Sequence, residues 1–294
     1  MSAPLFEGFR DTRIPAGEAQ IAAWVGGSGP PLLLLHGYPQ TRAIWHKVAS
    51  RLARRYTVVA SDLRGYGDSG KPPGGTDHSG YSKRSIADDQ VALMKSLGHE
   101  RFFLAGHDRG GRVAHRLAAD HPGAVEKVAV LDIAPTLAMY EQTTEAFARA
   151  YWHWFFLILP APQPERMIGA DRLAYLHFKI GQGRAGMKPF AREALAEYER
   201  CFTLESIHAM CEDYRAAAAI DLVHDRADRD AGRKLAMPLL ALWGGHGVVE
   251  HCFKPVDEWL RVAQDVRGRA LPAGHYLPEE VPEWVADEFE GFFK

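Results

Sequence analysis

Phe102-Phe103-Leu104-Ala105-Gly106-His107-Asp108-Arg109-Gly110-Gly111-Arg112-Val113-Ala114-His115 decides how the rest of the chain is read. A short apolar run passes through small residues and continues in helix-forming ones, which predicts strand, sharp turn and helix. Gly106 and Gly110 flank Asp108, and small neighbours are what a strained, exposed elbow requires. Most such elbows carry Ser. A carboxylate is already anionic at neutral pH, so it needs no base to strip a proton before attack. It suits displacement at saturated carbon, where a halide or an epoxide oxygen leaves, and the resulting ester on Asp108 must then be cleaved by water. The competing reading makes Asp108 a helix N-cap ahead of Arg109, where Asp is common.

The chain of 294 residues fits one α/β domain with an insertion. A net charge of -2 implies no bulk electrostatic affinity for nucleic acid or a membrane surface. Cys201, Cys211 and Cys252 are odd in number and lack metal-like spacing, so a reduced, cytoplasmic setting is expected rather than a disulfide framework. Met1 to Arg10 has no apolar segment behind a basic start and does not read as a signal peptide. No apolar run approaches the ~20 residues of a membrane helix.

Working outward from the elbow, Pro31-Leu32-Leu33-Leu34-Leu35 is a continuous apolar strand of the kind buried on both faces of a parallel sheet. It ends in His36-Gly37-Tyr38-Pro39, a loop whose Tyr38 N–H is the functional candidate and whose His36 side chain suits a structural role. Strands are also expected at Glu18 to Trp24, Tyr56 to Ala60, Lys127 to Asp132, Pro238 to Trp243 and Gly268 to Leu271. Helices are expected at Trp45 to Leu52, from a Ser85 cap to about Leu97, and at Trp284 to Phe293. The charged loop Asp62 to Ser69 reads as structural pairing. From Pro135 to about Val223 the pattern is helical and aromatic, densest at Tyr151-Trp152-His153-Trp154-Phe155-Phe156. The expected division is a core over 1–135, a helical cap over 136–223 and a second core segment over 224–294. Strands alternating with helices give a mostly parallel sheet flanked on both faces.

Nucleophile, then acid, then His, each at a strand end, is the chain order of an α/β-hydrolase. Asp108 fills the first position, and His275 sits in the loop after the last strand. The loop after the penultimate strand, Gly244 to Glu250, offers no Asp, so Asp132 is the better acid to orient His275. His275 would then take a proton from the water that attacks the Asp108 ester. The backbone N–H groups of Tyr38 and Arg109 would meet the oxyanion. The elbow has no Ser or Cys, which disfavours an ordinary esterase. Arg109 and Arg112 stand three apart beside the nucleophile, and guanidinium groups bind carboxylates in planar, bidentate fashion, so an anionic substrate is expected. The alternative is that they pair with acids such as Asp62 or Asp132.

His36-Gly37-Tyr38-Pro39, Gly106-His107-Asp108-Arg109-Gly110-Gly111-Arg112, Leu131-Asp132-Ile133-Ala134-Pro135-Thr136 and Tyr151-Trp152-His153-Trp154-Phe155-Phe156 together resemble the fluoroacetate dehalogenases of the α/β-hydrolase superfamily. The similarity extends over nearly the whole chain, including Asp213-Tyr214-Arg215-Ala216-Ala217-Ala218. The first motif is shared with epoxide hydrolases, while the Asp-Arg-Gly-Gly-Arg elbow with His-Trp in the cap is narrower. The resemblance implies a triad of Asp108, Asp132 and His275, and a substrate carboxylate held by Arg109 and Arg112. It also implies a halide pocket of His153, Trp154 and Tyr214, a homodimer, and no metal or organic cofactor. Imidazole, indole and phenol donors would strengthen as charge develops on departing fluoride. The implied reaction takes fluoroacetate to glycolate plus halide, with inversion at a chiral 2-carbon. The small-molecule haloacid is the only partner expected besides a second copy. The rivals are an epoxide hydrolase, with Tyr214 and one of Tyr151, Tyr175 or Tyr198 as cap acids, and a non-catalytic receptor for a carboxylate ligand. Tyr175-Leu176-His177-Phe178-Lys179 in the cap fits no assigned pattern.

Overall fold

The computed structural model describes residues 5–294. Its eight strands are β1 (Arg10–Ala16), β2 (Ala19–Gly26), β3 (Pro31–Leu35), β4 (Thr57–Ser61), β5 (Phe102–His107), β6 (Val125–Leu131), β7 (Leu239–Gly244) and β8 (Val266–Leu271). They form one sheet in the order β1-β2-β4-β3-β5-β6-β7-β8. β1 and β2 pair antiparallel, as do β2 and β4, and every later pairing is parallel. This is the expected α/β class, a mostly parallel sheet between helices. β1 was not legible as a strand, because it lies mostly exposed at the sheet edge and its charged residues, Arg10, Asp11 and Arg13, follow no strand alternation.

Leu32 to Leu35 of β3 have no exposed surface, since helices cover both faces of the sheet. The core helices are α1 (His46–Leu52), α2 (Lys83–Ser96) and α3 (Arg109–Asp120). The N-cap of α2 is Ser82, whose side chain accepts from the Ser85 N–H, so the expected Ser85 cap lies three residues too late. Both serines are suitable capping types, and the choice fell to the turn Ser79–Tyr81 that feeds the helix.

Between β6 and β7 the chain forms α4 (Thr136–Glu141), α5 (Glu145–Ala150), α6 (Trp152–Phe156), α7 (Gln163–Ala170), α8 (Arg172–Ile180), α9 (Arg192–Cys201), α10 (Leu204–Ala218) and α11 (Ile220–Asp230). The boundary expected at 223 falls inside α11. The remaining helices are α12 (Val248–Cys252), α13 (Pro255–Leu260), α14 (Leu277–Glu280) and α15 (Pro282–Phe292). Among the described residues no helix is long and apolar enough to cross a membrane.

Register places the chemistry. Leu35 lies beside Gly106, and His107 beside Leu131, so the loops leaving β3, β5 and β6 emerge side by side at the carboxyl edge of the sheet. In open parallel sheets that edge is where ligands bind.

Candidate active site

The elbow has the geometry its sequence demands. Asp108 adopts φ 48 and ψ -115, an unfavourable backbone for a residue with a side chain. Gly106 permits the bend, because a Cβ there would stand 2.3 Å from the Gly110 carbonyl oxygen. Asp108 does occupy the N-cap position of α3, yet it makes no side-chain capping bond. Its Oδ1 instead accepts the Tyr38 N–H at 3.0 Å. That approach depends on Gly37, where a Cβ would lie 2.5 Å from the Asp108 Cβ. The Arg109 N–H, at the first position of α3, belongs to the helix-end donors that lack an intrahelical acceptor.

Asp108 is nearly fully buried. Burial pushes its carboxyl up, but neighbouring His275 and the charges of Arg112 and Arg109 outweigh that and hold it below its ordinary value. The group therefore stays ionised without a base. His275 Nδ1 donates to Asp132 Oδ2 at 2.6 Å, and Asp132 Oδ1 accepts the Gly244 N–H at 2.9 Å. A proton held on Nδ1 leaves Nε2 as the basic nitrogen. The Asp132 carboxyl is pushed up by burial, against the pull of the His275 and Gly244 bonds. Glu250, the other acid considered, is instead engaged by the Trp243 indole N–H. His107 Nε2 donates to the His275 carbonyl at 2.8 Å. Burial and the neighbouring His275 lower its pKa to about 3, so it stays neutral and holds the His275 backbone in place.

His36 is structural. Its Nε2 accepts the Leu63 N–H at 3.0 Å, which leaves the Nδ1 proton for the Gly37 carbonyl, also at 3.0 Å. The Asp62 to Ser69 loop is likewise a pairing device. Asp62 accepts the Arg42 and Asp68 N–H groups, and Arg64 grips Asp89 through two bonds of 2.7 Å.

Neither arginine beside Asp108 pairs with Asp62 or Asp132. Arg109 is fully buried and forks onto Asp213 of α10, with Nε and Nη2 each 2.8 Å from a carboxylate oxygen. Asp213 also receives Lys83 and, at 2.7 Å, the Tyr66 hydroxyl. Nothing in the local pattern around Asp213 marked it, although it directly precedes Tyr214. Arg112 donates to Thr136 Oγ1 at 3.0 Å and more weakly to the Ala134 carbonyl at 3.3 Å. Each arginine keeps one nitrogen without a partner among the described residues, Nη1 of Arg109 and Nε of Arg112.

The three cap residues gather against these arginines. The Arg109 guanidinium lies 4.1 Å over the Tyr214 ring and that of Arg112 lies 4.6 Å over the Trp154 ring. The Tyr214 ring centre is 5.9 Å from that of His153 and 6.4 Å from that of Trp154. His153 Nδ1, Trp154 Nε1 and the Tyr214 hydroxyl are buried and find no hydrogen-bond partner among the described residues. Burial, followed by the charges of Lys179, His275 and both arginines, keeps His153 neutral. Burial and nearby Asp108 raise the Tyr214 phenol, so it keeps its proton. An unpaired buried polar group costs about 1–3 kcal/mol, and native proteins rarely group several together without a use.

Of the tyrosines weighed for the cap, Tyr198 is committed to Glu279 at 2.6 Å and Tyr175 shares a hydrogen bond of 2.9 Å with Tyr38. Tyr151 packs edge-on to His275 with ring centres 6.5 Å apart. A cavity of about 320 Å³ opens onto Asp108, His275, Tyr38, Tyr151 and His153. A larger one of about 520 Å³, lined by His115, Glu141 and Arg261, contains neither Asp108 nor His275.

Known proteins resemble this chain along most of its length. Residues 30–280 match the family model for the alpha/beta hydrolase fold. The chain is 46% identical over 284 residues to a fluoroacetate dehalogenase of Burkholderia sp, covering 96% of this chain and 93% of that protein. It is 35% identical to a soluble epoxide hydrolase of Corynebacterium sp. (strain C12), covering 91% of each. Among solved structures, ALR0039 of Nostoc sp PCC 7120, described as an alpha/beta hydrolase, superposes with a TM-score of 0.95 at 50% identity, over 97% of this chain and 98% of its own. On its fold, its elbow and this near-complete similarity, the chain belongs to the fluoroacetate dehalogenase family of the α/β-hydrolase superfamily.

Proposed function

We propose that this protein hydrolyses short 2-haloacids, fluoroacetate among them, to the 2-hydroxyacid and halide. Asp108 Oδ2 attacks the carbon opposite the halogen while Oδ1 rests on the Tyr38 N–H, forming an ester and expelling halide. Arg109 Nη1 and Arg112 Nε receive the substrate carboxylate, and His153, Trp154 and Tyr214 stabilise the departing halide. His275, oriented by Asp132, then takes a proton from water as it attacks the ester carbonyl. The Tyr38 and Arg109 N–H groups meet the oxyanion, and collapse returns Asp108 with release of the hydroxyacid. The observation that carries the reading is the group of buried, unpaired donors beside an ionised Asp108. A carboxylate and a halide on one small molecule satisfy them together.

The test is fluoride release from fluoroacetate by wild type and Asp108→Asn. Wild-type release with none from the variant is the expected result. Intact mass of His275→Asn after exposure to fluoroacetate should rise by about 58 Da, the ester awaiting hydrolysis. A folded wild type that releases no halide from fluoro-, chloro- or bromoacetate overturns the assignment. Epoxide hydrolysis is the second reading, favoured by Tyr151 on the cavity wall and the unpaired Tyr214 hydroxyl. Styrene oxide turnover without haloacid turnover would establish it. The homodimer and the cytoplasmic setting belong to the same reading, and sedimentation tests the former.

A further inference from the structure

Lys179, on the last turn of α8, lies on the wall of the cavity that reaches Asp108 and His275. Other lysines that the fold encloses are held by acceptors. Lys83 reaches Asp213, Lys47 the Glu279 carbonyl, Lys71 the Gly67 carbonyl and Lys127 the Phe292 carbonyl. Lys179 forms no ion pair or hydrogen bond among the described residues, and Asp108 is the one carboxylate whose charge it feels. A cation at a helix C-terminus gains from the helix dipole, which explains tolerance for a lysine there and not a half-buried one without a partner. Among the described residues Asp108 is the sole acid lining this cavity, whereas Arg149 and Arg184 stand at its wall with Lys179. Of these, Arg149 is already taken by Glu145 at 2.8 Å. A chain with a net charge of -2 has therefore placed basic side chains on the wall of the cavity that holds Asp108.

We propose that Lys179 forms an outer station for the substrate carboxylate, catching the anion at the cavity wall before it moves inward to Arg109 and Arg112. This rests on the haloacid reading above. The station speeds capture by steering the anion past low-dielectric walls, and it partly cancels the repulsion that anionic Asp108 exerts on an incoming carboxylate. It leaves the chemical step to the inner groups.

The experiment compares wild type, Lys179→Gln and Lys179→Arg by halide release from fluoroacetate at low and high salt. Steering by one cation at a cavity mouth predicts that Lys179→Gln loses about tenfold in kcat/KM at low salt, with the loss falling on capture rather than on kcat. The gap should close at about 0.5 M salt, where the screening length is only a few ångströms, and Lys179→Arg should restore most of the rate. Burial also lowers the Lys179 pKa to about 8, against the pull of Asp108. Wild-type kcat/KM should therefore fall as pH rises through about 8, where the cation is lost. That limb should vanish in Lys179→Gln and move higher in Lys179→Arg. The other titratable or charged side chains at this cavity among the described residues are Asp108, His275, His153, His246, His251, Arg149, Arg184 and the tyrosines, and none of them is substituted in either variant. Equal kcat/KM, salt slope and pH profile in all three proteins overturn the outer station while leaving the haloacid reading intact. A wild type without halide release overturns that reading instead. Acetate binding by calorimetry then decides the station, supported by about tenfold weaker binding to Lys179→Gln and refuted by equal binding.

Discussion

Asp213→Asn is the substitution on which the organisation of the site can be judged. The carboxylate is fully buried on cap helix α10 and receives Arg109 from α3, Lys83 from α2 and Tyr66 from the loop after β4. Oδ1 accepts from Lys83 and Arg109 Nη2, and Oδ2 accepts from Arg109 Nε and the Tyr66 hydroxyl. An amide is the same shape, but whichever way it is turned its NH₂ faces donors, and buried Arg109 loses its anion while Lys83 keeps only Asp221 at 3.3 Å. Removing one partner of a buried ion pair costs about 3–5 kcal/mol. At roughly 2 °C per kcal/mol for a chain this long, the midpoint of thermal unfolding should drop by about 6–10 °C. Released from its fork, Arg109 no longer presents Nη1 in one orientation, so kcat/KM for fluoroacetate should fall by at least about tenfold. The pH dependence has a definite sign. Burial raises the Asp213 carboxyl, but Arg109 and Lys83 outweigh it and hold the pKa far below that of the unfolded chain. Its contribution is present in full above the unfolded value near 4 and is lost as pH falls from there toward the folded one. The variant should accordingly lose its disadvantage progressively in acid. Thermal unfolding monitored by circular dichroism across pH, with halide release at neutral pH, gives both readouts. An unfolding midpoint within about 2 °C of wild type at pH 7, together with unchanged kcat/KM, would refute the claim that this carboxylate holds Arg109.

Two further outcomes follow from buried groups. Trp154→Phe keeps a ring under Arg112 but removes the unpaired indole N–H. Fluoroacetate turnover should fall by about a hundredfold, the scale of one lost transition-state donor, and chloroacetate turnover much less; equal losses on both substrates would exclude a role at fluoride. Burial raises Glu279 to about 7, against its bonds from Tyr198 and Lys47. Its contribution to stability is therefore present below the unfolded value of about 4.3 and lost as pH rises through about 7. The unfolding midpoint of Glu279→Gln relative to wild type should improve between pH 5 and 8, and a difference that does not vary with pH would contradict this.

How much of this was legible in the chain depends on how far each signal reaches. The runs that became β3 and β7 were read to within a residue, because strands buried on both faces must be continuously apolar whatever surrounds them. β1, half-exposed at the sheet edge, is under no such demand and left no pattern. Helix α2 was recognised from a capping serine followed by acids in the first turns, but two serines three residues apart offered equivalent caps, and only the path of the preceding turn separated them.

The sequence by itself determined the fold class, the elbow, and the order of Asp108, Asp132 and His275 at strand ends along the chain. Those follow from steric rules that act over a few residues: small neighbours at a strained turn, and buried runs that set strand ends. The tertiary structure decided what each charge meets. It joined His275 to Asp132 across 143 positions and Arg109 to Asp213 across 104. It turned Asp108 toward Tyr38 instead of into its own helix end. It left the donors of His153, Trp154 and Tyr214 without partners and Lys179 alone on the cavity wall. Pairing of charges depends on distance in space and on the solvent excluded between them, and neither is set until the cap has closed over the sheet.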